Sequence, residues 1–455
     1  MSPKRENFTS RKAVIMAMAG SAIGLGNIWR FPYVVGQYGG AAFILAFIVC
    51  GAFVSVPIFL SESVIGRRSQ QNTFGAMETL APGTKWKWIG LLTVLTPIII
   101  VSYYSVVGGW SIDYLVKAVS LRFRPENIDQ VTNMFPELMS STWLPVICHI
   151  IFAGLCALIV FFGVKKGIEK FCKATMPVLF VLIVLIAVYS LTLPGASGGV
   201  EYLLKPDFSK LTAKAWAAAL GQSFFSLSLG VGTMLTYSSY VSREENLMAS
   251  SGETAFFDFL FAMLAGFAIM PAVFAAGIEP GDGPGLVFET LPYIFASMGE
   301  GSRLISAVVA ILFFLTVLVA ALSSAISMME VGVAYLSEEK GVSRSKATAG
   351  IFLFAVILGT LCSLSFGPLA DVRIQGFSIF DFCDKLCSNF LMMIGALLFS
   401  LFVGWKMKKS DVMDELTNSG KIRHGRAFAQ VIYYLIKFVA PVAIVLIFVL
   451  GLVQK

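Results

Sequence analysis

Long apolar runs follow one another along almost the whole chain, separated by short polar connections. Eleven are long enough to cross a bilayer core, which takes about 20 helical residues. They lie at roughly 12–36, 41–66, 88–118, 143–163, 174–193, 214–241, 253–277, 303–336, 347–366, 378–405 and 429–453. Strands of a membrane barrel would show alternating segments of about ten residues, and the sequence has none. The pattern predicts an all-α polytopic membrane protein with about 11 transmembrane helices, forming a single membrane domain over 1–455. The longest connections are 119–142, 194–213, 278–302 and 406–428. The third of these, rich in Gly, Pro and acids, reads either as a lid or as a solvated connector.

Two runs are interrupted at corresponding places. The first contains GSAIGLGNIWRFP (20–32), and the sixth contains SLSLGVG (226–232). Both set small polar residues and a Gly-x-Gly near mid-span. They are five spans apart, so the two copies cross in opposite directions. Matched, Gly-interrupted spans in an inverted repeat point to a transport site, whereas two stripes of small residues that pack helices together are the plainer alternative. Gly24-Leu25-Gly26 is not a nucleotide loop. Trp29 stands where a dinucleotide fingerprint needs its third glycine, and no Gly-Lys-Ser/Thr follows.

Composition narrows the class further. Of the 455 residues, 57% are hydrophobic and 13% charged, against about 25% charged in soluble domains. The net charge of +7 is spread over loops and is not a nucleic-acid patch. Lys4, Arg5, Arg67, Arg68, Lys165, Lys166, Lys408 and Lys409 all fall on one side, which the positive-inside rule makes cytoplasmic. The N-terminus is then cytoplasmic and, with an odd number of spans, the C-terminus extracellular. The first run lacks a small-residue cleavage site and continues into Arg30, so no cleavable signal peptide is expected. The seven cysteines read as buried, inert thiols. Cys383 and Cys387 lie one turn apart and receive no role.

An unwound stretch inside a membrane helix persists only where its freed backbone groups are satisfied by protein or by a wet or ligand-filled cavity. Carbonyls that end one half-helix, together with the Asn27 amide oxygen, suit a hard monovalent cation. The amides of Leu25 and Gly26 at the start of the other half suit a carboxylate. One gap can therefore hold a cation beside an anion, as required for a zwitterionic amino acid arriving with Na⁺.

At this point the chain resembles the neurotransmitter:sodium symporter family. The likeness rests on AMAGSAIGLGNIWRFPY, a second span ending ESVIGRR, the tyrosines 103–104, GQSFFSLSLGVG and ALSSA, in family order over residues 1 to about 400. Within the family it points to bacterial sodium-coupled carriers of several hydrophobic amino acids. The resemblance implies a LeuT-like 5+5 inverted repeat with discontinuous helices 1 and 6. Repeat one would occupy about 10–193 and repeat two about 213–405, with an extra helix at about 427–453. Family members commonly have twelve spans, one more than is counted here.

Carried over residue by residue, the resemblance implies two sodium sites. The first would use Ala22, Asn27, Ser226 and Asp258 together with the substrate carboxylate, and Asp258 departs from members that carry asparagine there. A buried carboxylate must be paired or protonated, and an adjacent Na⁺ would keep it charged. Phe47 stands where chloride-dependent relatives have a tyrosine, so no chloride requirement is expected. The second site would use Gly20, Ile23, Ala320, Ser323 and Ser324. Without the family context, adjacent serines on a span read as bonded back to their own helix. Substrate would be held by Ala22, Leu25, Gly26, Ile100, Tyr104, Phe225, Ser226, Ser228, Val231, Ser324 and Met328, an apolar pocket without fixed charge. Val231 replaces a phenylalanine of some relatives, which enlarges the pocket toward leucine-to-tryptophan sizes.

Ionisable residues within spans are functional candidates. The resemblance makes Arg30 and Asp384 an outer gate over Phe225, and Arg5 with Glu338, helped by Tyr240, an inner one. Glu62 is expected to bond freed backbone near the breaks. Gly167 and Pro177 mark either a segment that unwinds or an ordinary proline kink. The two histidines, His149 and His424, form no HExxH or Cys/Asp constellation, so no enzyme is expected. The reading is sodium-coupled uptake of hydrophobic amino acids across the plasma membrane, with sodium ions, substrate and lipid as partners. The alternative is an amino-acid sensor or channel that binds without accumulating.

Overall fold

In a computed structural model, residues 6–124, 126, 128–278, 287–297, 302–421 and 425–453 are described. Helix dominates because, in lipid, each backbone N–H and C=O must be satisfied within its own segment. Among the described residues the only β feature is an isolated bridge, Ile374 to Phe377. Among the described residues nine continuous helices are long and apolar enough to cross a membrane: Ala41–Ser69, Lys87–Val119, Leu144–Phe161, Val164–Leu191, Leu247–Ala275, Arg303–Glu339, Arg344–Leu364, Ile379–Lys406 and Arg426–Val449. The first run forms a bent pair, Arg11–Ala22 and Gly26–Gln37, turned by 53°. The sixth is divided into Ala213–Ser226 and Thr233–Ser238. The eleven apolar runs are thus nine whole helices, one bent pair and one split pair.

Two boundaries differ from the sequence expectation. The fifth span begins at Val164 and the seventh at Leu247, each earlier than its apolar run. Their first turns carry Lys165, Lys166 and Glu169, or Ser250, Ser251 and Glu253, which are polar but helix-compatible. Apolar length measures hydrocarbon thickness, not helix length. The segment with Gly167 and Pro177 is helical throughout, opening on a wide π-type turn at Val164–Glu169. A side chain at Gly167 would overlap the Ile159 carbonyl oxygen, so the glycine there serves a close approach of the fourth and fifth spans.

The third and eighth spans, Lys87–Val119 and Arg303–Glu339, form the most extensively packed helix pair. The first span lies against the fifth, seventh and eighth, and the second half of the sixth packs on the first, second and eighth. Both breaks are therefore held deep in the bundle. The eleventh span is the least enclosed. All seven cysteines are free and buried.

Candidate functional site at the two helix breaks

The first half-helix opens on Ser10, whose hydroxyl caps the Ala13 N–H, and ends where Ile23 turns to extended geometry (ψ 110°). Asn27 then bridges the gap. Its Oδ1 accepts from the Gly24 N–H (3.1 Å) while its own N–H donates to the Gly24 carbonyl (3.1 Å). Its Nδ2 donates to Asp258 Oδ1 (2.8 Å), the Asp258 carbonyl (3.2 Å) and Ser226 Oγ (3.0 Å). Ser226 in turn donates to Asp258 Oδ2 (2.7 Å). All three residues are buried. Asp258 is the acidic member of this cluster, and no lysine or arginine of the described residues pairs with it. A carboxylate taken out of water needs a counter-charge or a proton.

At the second break Ser228, Gly230 and Gly232 all have positive φ (51°, 78° and 71°), a region that favours glycine and strains serine. Ser228 is held there by donating to the Ser21 carbonyl (3.1 Å). The freed Gly230 N–H donates to Glu62 Oε1 (2.7 Å), the backbone-bonding role expected of Glu62. Gln222 Nε2 donates to the Gly26 carbonyl (2.9 Å), so the breaks also brace each other.

Between them lies a cavity of 30 Å³, about the share of one water in the liquid. Of the eleven expected substrate positions, Ala22, Gly26, Ile100, Tyr104, Phe225, Ser228, Val231, Ser324 and Met328 line it. Ser226 instead faces Asp258. The Leu25 N–H donates to the Tyr104 hydroxyl (3.1 Å), and Leu25 lines the next cavity outward. Gly24 and Met392 also line the inner cavity and were missed. Gly24 was legible in the Gly-x-Gly, because a Cβ there would come within 2.5 Å of Ser324 Oγ. Met392, on the tenth span, has no local signal.

The outward cavity measures 210 Å³ and shares Tyr104 and Phe225 with the inner one. Phe225 separates the two, and the Arg30 guanidinium sits 5.0 Å from its ring centre. Arg30 and Asp384 both line this outer cavity but form no direct ion pair. The ion pair expected from sequence between them is therefore not formed in this structure, where the two groups line one cavity from different spans.

Of the second expected cation set, Ser323 Oγ bonds both the Ile23 (3.3 Å) and Ala320 (2.9 Å) carbonyls. Gly20 packs beside it, its Cβ position 3.5 Å from Ser323 Cβ. The Ser324 hydroxyl donates its proton to the Ser21 carbonyl (2.7 Å). Arg5 lies outside the described residues. Its expected partner Glu338 accepts from the Asn72 N–H (2.9 Å) and Nδ2 (3.0 Å). Tyr240 donates to Glu330 (2.8 Å), which pairs with Arg344 (2.5 Å). This buried network joins the eighth and ninth spans and was not read from the sequence.

A family model described as the sodium:neurotransmitter symporter family matches residues 5–134 and 123–455. The chain belongs to this family. An uncharacterised sodium-dependent transporter, YhdH of Bacillus subtilis, is 39% identical over 98% of the chain and 97% of its own length. A Haemophilus influenzae sodium-dependent transporter is 36% identical over 99% and 98%. The crystal structure of MhsT in complex with L-phenylalanine superposes with a TM-score of 0.89 at 41% identity, covering 98% of this chain and 99% of that one. The symporter is therefore a multi-pass, sodium-dependent membrane transporter with the LeuT-like inverted-repeat fold, and not an enzyme.

Proposed function

We propose that this symporter drives uptake of hydrophobic amino acids, from leucine and valine to phenylalanine and tryptophan, with two Na⁺ and no chloride. The observation that carries the reading is the buried Asp258 carboxylate, which is bonded to Asn27 and Ser226 and has no protein cation among the described residues. A Na⁺ held by Asp258, Asn27, Ser226 and the Ala22 carbonyl supplies the missing charge. The Ser323 hydroxyl and the Ile23 and Ala320 carbonyls that it bonds, together with the Gly20 carbonyl and Ser324, would take the second ion. Ser324 belongs to both this shell and the pocket, and its oxygen can face the ion while its proton stays on the Ser21 carbonyl. All-oxygen shells with little charge suit Na⁺ better than transition metals.

The substrate carboxylate would meet the Leu25 and Gly26 amides, the Tyr104 hydroxyl and the first Na⁺, and its ammonium would meet the Ala22, Phe225 and Ser226 carbonyls. Completing the sodium shell with substrate makes each ligand favour the other's binding. The 30 Å³ cavity must widen for this, chiefly by movement of Phe225 and Met328. Phe225, Arg30 and Asp384 would close the outer path, and Arg5, Glu338 and Tyr240 the inner one. Phe47 packs against the rings of Phe31 (5.2 Å) and Phe259 (6.1 Å), an apolar wall that offers chloride no donor. With the N-terminus cytoplasmic and the C-terminus outside, the repeats run over about 10–193 and 213–405. Two charges falling through 100 mV release about 4.6 kcal/mol, enough for roughly thousandfold accumulation.

The test is uptake of labelled leucine or tryptophan into proteoliposomes with and without an inward Na⁺ gradient, in chloride and in gluconate. Gradient-driven accumulation, equal in both anions, is expected. Sodium-dependent binding without accumulation would instead identify a sensor or channel. Two substitutions probe the pocket. Val231→Phe should lower tryptophan uptake about tenfold more than leucine uptake, because added ring volume excludes the larger side chain first. Tyr104→Phe removes the acceptor of the Leu25 N–H and a carboxylate donor. A loss of about 1–3 kcal/mol should appear as at least about a fivefold higher half-saturating substrate concentration.

A further inference from the structure

We propose that the N-terminal end of the fifth span carries a binding site for an anionic phospholipid headgroup, built by Lys165, Lys166 and Lys170. These residues line an open cavity of 820 Å³ together with Lys173 and Glu169. The carboxylate is already committed. It accepts from the Thr9 N–H (3.0 Å), from the Thr9 hydroxyl and from Lys173 Nζ (2.5 Å). Lys173 is thereby neutralised, while Lys165, Lys166 and Lys170 are exposed and make no ion pair among the described residues. Lys166 and Lys170 stand four apart on one helix, a spacing at which like charges repel. Three ammonium groups without an ion pair, with the Glu6 carboxylate taken up by the backbone amides of the same turn, call for a polyvalent oxyanion.

The surroundings favour a lipid over a soluble phosphate. Phe161 and Phe162 stand exposed beside the recess, and Val178, Val181, Leu185 and Val188 continue exposed along the same helix. Only 39% of this span is buried within the protein, so its outer side faces hydrocarbon. A headgroup seated on the lysines places its acyl chains along that apolar strip. Each lysine near an anionic surface contributes about 1 kcal/mol.

The same turn is tied to the N-terminal segment. Glu6 accepts from the Val164 (2.9 Å) and Lys165 (3.3 Å) N–H groups. Two to three turns further on, Cys172 and Met176 pack at Gly20, 3.1 and 3.4 Å from its Cβ position. A headgroup that relieves the lysine repulsion therefore stabilises the helical form of the segment covering Gly20.

The test uses the full chain, delipidated in detergent and titrated with phosphatidylglycerol or phosphatidylcholine under native mass spectrometry. The wild type should retain phosphatidylglycerol at least about fivefold better, and the triple variant Lys165→Gln/Lys166→Gln/Lys170→Gln should lose that preference. A control triple variant, Lys85→Gln/Lys346→Gln/Lys408→Gln, should keep it. In nanodiscs, phosphatidylglycerol should slow amide exchange over residues 164–173 in the wild type and not in the first triple variant. Retained preference in the first variant, or an equal loss in the control, overturns the proposal. Displacement of the lipid by millimolar inorganic phosphate, with the same slowing of exchange, would assign the recess to a soluble anion instead.

Discussion

Asp258→Ala should abolish sodium-coupled uptake. The carboxylate accepts from Asn27 Nδ2 (2.8 Å) and Ser226 Oγ (2.7 Å), and its removal takes away both charge-assisted bonds in a buried site, leaving Asn27 Nδ2 only the Ser226 hydroxyl and the backbone carbonyl of residue 258. Hydrogen bonds to a charged group contribute about 1.5–3 kcal/mol each. The attraction for the ion is lost as well. The summed loss exceeds 3 kcal/mol, so the half-saturating Na⁺ concentration should rise by at least about a hundredfold. Asp258→Asn preserves shape but not charge and should give a smaller rise. A Na⁺ titration of leucine uptake in proteoliposomes checks both, and a half-saturating value for Asp258→Ala within about threefold of wild type would remove Asp258 from the coupling site.

Gly230→Ala should prevent stable folding. At φ +78° an alanine is strained, and its Cβ would overlap the Met392 carbonyl oxygen. The opposing surface cannot yield, because a Cβ at Gly395 would overlap the Gly230 carbonyl in the same way. Backbone packs directly on backbone here, so relief requires moving the sixth and tenth spans apart. That motion also pulls the Gly230 N–H from Glu62 (2.7 Å). The combined cost reaches about 4 kcal/mol or more, the exceptional end of single substitutions. Size-exclusion chromatography of a fluorescent fusion should show loss of the monodisperse peak. Gly221→Ala, where a Cβ meets nothing within 4 Å, should retain it. Equal behaviour of the two variants would show that the tenth span tolerates displacement.

Much of this was legible in the residues. Apolar runs announce the spans because lipid leaves the backbone only helical solutions. The breaks announce themselves because Gly20, Gly24, Gly26, Gly230 and Gly232 weaken helix locally, and nine of the eleven expected pocket positions line one cavity. Helix ends were less legible. The polar first turns of the fifth and seventh spans are helical without being apolar. Arg30 and Asp384 were legible as ionisable residues within spans, but not the distance that keeps them from pairing.

What the sequence determined by itself is where the chain crosses the membrane, where helix cannot continue and which oxygen-bearing residues stand at those points. These are local properties, set by hydropathy, glycine content and spacing. Only the tertiary structure decided which groups meet. It brought Asn27 to Asp258, Glu62 to Gly230, Met392 to the pocket and Glu330 to Arg344, and it turned Ser324 toward Ser21. Each pairing joins side chains or backbone from different helices. Its geometry depends on how those helices pack and rotate against one another, which no window along a single helix contains.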